Sequence, residues 1–171
     1  MQNISIRPAS AQLDAAAIAE LYNHYIRGSI VTFEEQDVTG AQIQARINSV
    51  NDALLPWLVA EQAEKVVGFA YANIFRERSA YRFTVEATVY VDTDFSGNGI
   101  GSGLYRALLD QLQQSEVHSV IGIIALPNEP SVRLHEKFGF TQVAHLPEVG
   151  YKFDRWLDVG YWQLTLDLKT S

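Results

Sequence analysis

The order of predicted elements makes this an α+β chain built around one mixed sheet. Three observations carry that reading. The predicted elements run strand, helix, helix, three strands, helix, strand, helix, strand and a closing strand. The second and third strands are joined by a short polar turn, which pairs them as an antiparallel hairpin. The fourth strand runs straight into a glycine-rich turn and then a helix.

Each element has its own local cause. Ile4 and Ile6 alternate with polar neighbours and give a short first strand. Residues 14–25 are helical, with Ile18, Leu21, Tyr22 and Tyr25 on one face. A second helix covers 39–50, with Thr39 as its N-cap. Strands at 57–61 and 66–71 flank the turn Gln62-Ala63-Glu64-Lys65, and 84–91 is a β-prone run. The helix after the glycine turn ends near Gln114 and carries Leu104, Ala107, Leu108 and Leu112 on its apolar face. A strand at 120–126, a helix at 131–138 closed by Gly139, and strands at 141–146 and 161–168 complete the chain.

Composition narrows the function classes. The 171 residues hold 13 Lys and Arg against 20 Asp and Glu, a net charge of −7. Phosphate neutralisation needs clustered cations, so nucleic acid is not an expected partner, and neither is an acidic membrane surface. No window approaches the roughly 20 apolar residues of a membrane span, and residues 1–8 lack the pattern of a secretory leader. With no cysteine there is no disulfide, thiolate metal site or Cys nucleophile, and a cytoplasmic location is expected. His24, His118 and His145 are scattered without metal-ligand spacing, so no metal is expected. Length and composition fit one domain spanning 1–171.

The glycine turn is the strongest chemical signal. Glycines at 97, 99, 101 and 103 allow close backbone approach, and the following helix offers free amides at the positive end of its dipole. That combination suits a phosphate or pyrophosphate. It is not a P-loop, since Gly101 is followed by Ser102-Gly103 and no lysine. It is not a dinucleotide fingerprint either, because Ser102 stands where the third glycine belongs.

Val89-Tyr90-Val91 followed by Gly97-Asn98-Gly99-Ile100-Gly101 resembles motif A of the GNAT N-acetyltransferases, written R/Q-x-x-G-x-G/A. Ser96 occupies the R/Q position, so the anion would rest on backbone amides and the helix end. The run from Asn128 to Phe140 is similar to the family's motif B. Five segments, among them Asn23-His24-Tyr25-Ile26 and Asp158-Val159-Gly160-Tyr161-Trp162-Gln163-Leu164, resemble the branch that acetylates phosphinothricin and methionine sulfoximine. The resemblance implies the GNAT fold, a mixed and mostly antiparallel twisted sheet of about seven strands flanked by about four helices. It implies acetyl-CoA as co-substrate, a small amino-acid analogue as acceptor, direct transfer in a ternary complex, and a homodimer. Rivals are an acetyltransferase for another amine and a non-catalytic coenzyme A sensor.

Site residues follow from chemistry and resemblance together. Glu86, inside an apolar strand beside the turn, is the candidate base; the alternative is a solvent-facing strand residue. His135 falls where many relatives carry a Tyr that protonates the departing sulfur; the alternative is a surface histidine. The resemblance assigns Val89, Tyr90, Val91, Gly97, Asn98, Gly99, Ile100, Gly101, Ser102 and Asn128 to the cofactor, with an amide near Val89 as oxyanion donor. Asn128 can equally be a helix cap. By the resemblance Arg78 and Tyr81 fall on substrate positions, with Arg76 a further cation for an anionic acceptor, the alternative for the arginines being solvated charge; Phe33 falls on a pocket aromatic, the alternative being a core residue. The aromatics Tyr151, Phe153, Trp156, Tyr161 and Trp162 are either an interface or core.

Overall fold

The computed structural model describes residues 4–167. The strands are β1 (Ile4–Pro8), β2 (Trp57–Gln62), β3 (Lys65–Ile74), β4 (Thr84–Val91), β5 (Ser119–Leu126), β6 (Thr141–Lys152) and β7 (Arg155–Thr165). The helices are α1 (Ala15–Gly28), α2 (Gly40–Asp52), α3 (Ile100–Leu112) and α4 (Glu129–Lys137). The strands form one sheet in the order β1-β2-β3-β4-β5-β7-β6. Only β4 and β5 run parallel; every other neighbouring pair is antiparallel. This is the mixed, mostly antiparallel sheet expected from the sequence.

Alternation along β2 sorts two cores onto opposite faces. Leu58 and Ala60 join the cluster around Leu104, Tyr105, Leu108 and Leu112 of α3. Trp57 and Val59 join the cluster around Ile18 and Ile26 of α1 and Ile43, Ile47 and Val50 of α2. Thr39 caps α2 with a full capping box, its side chain accepting from the Gln42 amide while Gln42 reaches back. Asp14 precedes α1 but does not cap it by its side chain. It is buried against Arg7 instead, with Nη1 2.8 Å from Oδ2. Arg7 also reaches Glu61 at 2.6 Å, which ties β1, β2 and the start of α1 together and holds the Asp14 carboxyl below its usual range.

The main departure is the length of the last hairpin. Strands expected at 141–146 and from Tyr161 prove to be the ends of a continuous arm, β6 reaching Lys152 and β7 starting at Arg155. Pro147 and Gly150 read as breakers. The ladder absorbs them in an irregularity between Leu146 and Gly150, where Glu148 takes φ 52° and its amide donates to Asp158. The turn is a two-residue one, Phe153 and Asp154 both at positive φ, without the glycine that usually announces it. β7 ends at Thr165; Leu168, where the sequence extended it, lies outside the described residues. No helix among the described residues is long and apolar enough to cross a membrane.

Candidate active site

β4 and β5 create the site by parting. They pair only from Thr84–Ser119 to Glu86–Ile121. Beyond that point a cleft of about 570 Å3 opens, lined by Ala87, Thr88, Val89, Tyr90 and Val91 on one side and Ile123, Ile124 and Ala125 on the other. Backbone groups of β4 that would have bonded β5 are therefore turned toward the cleft rather than into a ladder.

The glycine turn closes one end of this cleft. Gly97 and Gly99 take φ of 81° and 78°, which side-chain-bearing residues rarely adopt, and nothing stands within 4 Å of where a Cβ would be. Gly99 is the N-cap of α3 and offers no side chain; its carbonyl accepts from the Gly103 amide at 2.9 Å. The amides of Ile100, Gly101 and Ser102 thus lack intrahelical carbonyls. Ser96 and Gly101 line the cleft, while Ile100 is buried and anchors the turn. Asn98 points its amide back to the Phe95 carbonyl. An open, amide-rich concavity at a 13-residue helix fits a pyrophosphate. Lys137, at the end of α4, reaches Ser102 Oγ at 3.1 Å and so brings a cation to the same helix start. Nothing in the local sequence pointed to Lys137, because the contact joins two helices.

Glu86 stands at the other end, on the cleft wall, half-buried. Burial pushes its carboxyl above the usual range, and the positive charge of Arg76 offsets this in part. A carboxylate so placed is a better proton acceptor near neutral pH than a solvated one. The cleft is also lined by four tyrosines, Tyr22, Tyr25, Tyr71 and Tyr90, of which the sequence assigned only Tyr90 to the site. Tyr22 bonds Thr32 Oγ1 at 2.6 Å, Tyr25 donates to the Val91 carbonyl at 2.5 Å, and Tyr71 stacks on Trp57 at 4.0 Å. Tyr90 packs against Tyr22 at 5.1 Å, so its ring faces the α1 side and only its backbone edges the cofactor end. Burial raises all four hydroxyls, which keeps them protonated. The signal was the i, i+3 pair Tyr22 and Tyr25, aromatic residues whose hydroxyls need partners.

His135 is not a surface residue. It is 4% exposed, wedged between Tyr105 and Phe140, and a Cβ on Gly122 would lie 2.4 Å from its Nε2. Its Nδ1 lies 2.8 Å from the Ser131 carbonyl, so the proton sits on Nδ1. Nε2 is left as a buried acceptor with no partner among the described residues. Burial lowers its pKa, so the ring is neutral. Asn128 is a helix cap, accepting from the Ser131 amide at 3.2 Å, and it also lines the cleft.

The arginine loop is set apart from the cleft. Arg76, Arg78 and Tyr81 are exposed and line a second hollow with Ile74, Phe75 and Glu77. Arg76 stacks over Phe75 at 4.3 Å, and of the three residues it is the one whose charge is felt at Glu86. Phe33 is on the cleft wall and 41% exposed, so it is a pocket residue and not core. Of the five aromatics at 151–162, Tyr151, Phe153 and Trp156 are half exposed or more, while Trp162 is 3% exposed and belongs to the α3 core.

Comparison with known proteins agrees with this geometry. The family model described as Acetyltransferase (GNAT) domain matches residues 7–160. The phosphinothricin N-acetyltransferase of Streptomyces viridochromogenes is 43% identical over 165 residues, covering 96% of this chain and 89% of that protein. The L-methionine sulfoximine/L-methionine sulfone acetyltransferase of Salmonella typhimurium is 36% identical, covering 90% of each. Among solved structures, the acetyltransferase yncA of Salmonella typhimurium, determined with its cofactor acetyl-CoA, superposes with a TM-score of 0.93 at 34% identity, over 98% of this chain and 96% of that one. A sheet split at one parallel pair, a glycine turn at the split and this breadth of likeness have one common meaning: the chain belongs to the GNAT acetyltransferase family.

Proposed function

We propose that the chain, as one catalytic domain, transfers the acetyl group of acetyl-CoA to the α-amino group of a small amino-acid analogue, phosphinothricin or methionine sulfoximine. The observation that carries this reading is the shared cleft. A raised-pKa carboxylate and an amide-rich anion cradle stand on its walls, with an unpaired strand edge between them. The names of the relatives supply the acceptor.

Bound acetyl-CoA supplies an activated thioester. The chain supplies the rest. Amides at 100–102 and Lys137 hold the pyrophosphate, and Val89, Tyr90, Val91 and Asn128 edge the pantetheine arm. Glu86 takes the proton from the acceptor's ammonium, directly or through one water, so that the free amine attacks. An amide near Val89, on the edge freed by the parting of the strands, donates to the developing oxyanion. His135 has no proton on Nε2 to give, so its part is to seat α4 against Gly122, and the thiolate leaves unprotonated by it. Arg76, whose charge is felt at Glu86, leads Arg78 and Tyr81 in receiving the acceptor's anionic groups. Exposed Tyr151, Phe153 and Trp156 on the hairpin arm provide the contact of a homodimer, and the cysteine-free chain works in the cytoplasm.

The test is thiol release from acetyl-CoA against a panel holding phosphinothricin, methionine sulfoximine, common α-amino acids and a polyamine. Release is expected to be fastest with the two analogues. Preference for the polyamine would overturn the acceptor assignment, and no release with any amine would leave a coenzyme A sensor.

A further inference from the structure

Phe33 stands on the cleft wall, yet what fixes it comes from the far end of the chain. The tip of the β6–β7 hairpin lies behind the 29–34 loop. A Cβ on Gly150 would stand 2.2 Å from Phe33 Cε2 and 2.3 Å from Cζ, so the ring occupies the space that any side chain at 150 would need. Gly150 does not have a left-handed φ, and its backbone would accept alanine. The ring is the obstacle.

Two residues on, Lys152 is 2% exposed. Its Nζ donates to the Ser29 carbonyl at 2.9 Å and the Thr32 carbonyl at 2.8 Å. Ser29 is the C-cap of α1, where the negative end of the helix dipole favours a cation. None of the ion pairs among the described residues includes Lys152. The Phe153 ring, 5.0 Å from Nζ, and the charges of Glu34 and Glu35 also favour the ammonium, but a buried ammonium without an ion pair is still a costly way to fill a core position, and an apolar residue would pack there more cheaply. What the lysine provides is a fixed path for the loop. Thr32, held by it, in turn bonds the Tyr22 hydroxyl on the cleft wall.

We infer that the hairpin tip is a specificity determinant of the acceptor: Gly150 and Lys152 fix where Thr32 and Phe33 stand, and so set the width of the acceptor end of the cleft. This rests on the acceptor reading proposed above. Both are positioning residues, since neither lines the cleft.

The experiment uses the full chain with Gly150→Ala, Lys152→Met, Phe33→Ala and the double variant Phe33→Ala with Gly150→Ala. Steady-state kinetics are measured over L-amino acids of increasing side-chain size together with the two analogues, and amide hydrogen exchange is followed at 29–34. Gly150→Ala is expected to raise the acceptor KM about tenfold, more for larger side chains, with the acetyl-CoA KM unchanged, the loss of about one methylene's room in a pocket. In the Phe33→Ala background the same change is expected to do nothing, because the ring transmits it. Lys152→Met is expected to speed exchange at 29–34 and flatten the ranking of acceptors. Unchanged ranking in both single variants, an effect of Gly150→Ala that survives loss of Phe33, or parallel rises in both KM values would overturn the inference. If the wild type acetylates no amino acid, the acceptor reading fails, and exchange at 29–34 still decides whether Lys152 holds the loop.

Discussion

The two ends of the cleft are built on different principles. The cofactor end is built mainly on one contiguous stretch, β4, the glycine turn and the start of α3, joined by Asn128 and Lys137, and most of its chemistry lies in backbone amides whose positions follow from local conformation. The end proposed for the acceptor is assembled from the 29–34 loop, Tyr71 on β3 and Glu86 on β4, with the hairpin arm behind the loop, and its chemistry lies in side chains held by one another. A group common to all acyl transfers can be held by a short rigid motif. A group that differs from enzyme to enzyme is met by segments that can change independently. Variants at one end should therefore leave the other substrate's KM alone.

The largest test of that separation is Glu86→Gln. Loss of a general base is worth about a hundredfold or more in kcat, and calorimetry should find acetyl-CoA affinity intact. Unchanged turnover would remove Glu86 from the mechanism. The carboxyl must be ionised to act, and burial raises its pKa, so wild-type kcat/KM should fall as pH drops through that raised value. The Gln variant should lack this acid limb. Stability runs the other way. Above the raised pKa the folded state carries the cost of the buried charge, and below the unfolded pKa that cost is gone. Glu86→Gln should hence raise Tm at neutral pH, by an amount that shrinks on acidification.

Gly99→Val comes next. A β-branched residue at φ 78° is strained by about 1–2 kcal/mol, which corresponds to about a tenfold rise in acetyl-CoA KM, with the acceptor KM unmoved. Equal rises in both would show that the two ends are coupled. Lys137→Ala should have the smallest effect, about threefold on acetyl-CoA KM and fading with salt, since the ammonium is exposed and screened.

Legibility followed the same division. Positive φ at Gly97 and Gly99 and the Thr39 capping box are local events, and residue type nearly fixes them. The hairpin arm was half missed because Pro147 and Gly150 break local strand propensity, and only pairing with β7 overrides it. Residue type leaves Trp162 open between interface and core. Its place opposite Gly122 on β5 puts it in the core, a fact of register and not of residue type. The buried ring of His135, with its proton held on Nδ1 by Ser131, could not be read from a helix that looks amphipathic by sequence alone.

By itself, then, the sequence determined the order of elements, the Thr39 cap and the glycine turn at the start of α3. Each depends on interactions within a few residues, where the chain has little choice. The tertiary structure decided where β4 and β5 part, which tyrosines line the cleft, that Lys137 reaches Ser102 at the start of α3, and that Gly150 and Lys152 stand behind the Phe33 loop. Those contacts join residues up to 123 positions apart, as Lys152 and Ser29 are, and nothing in the spacing of one segment encodes the distance to another.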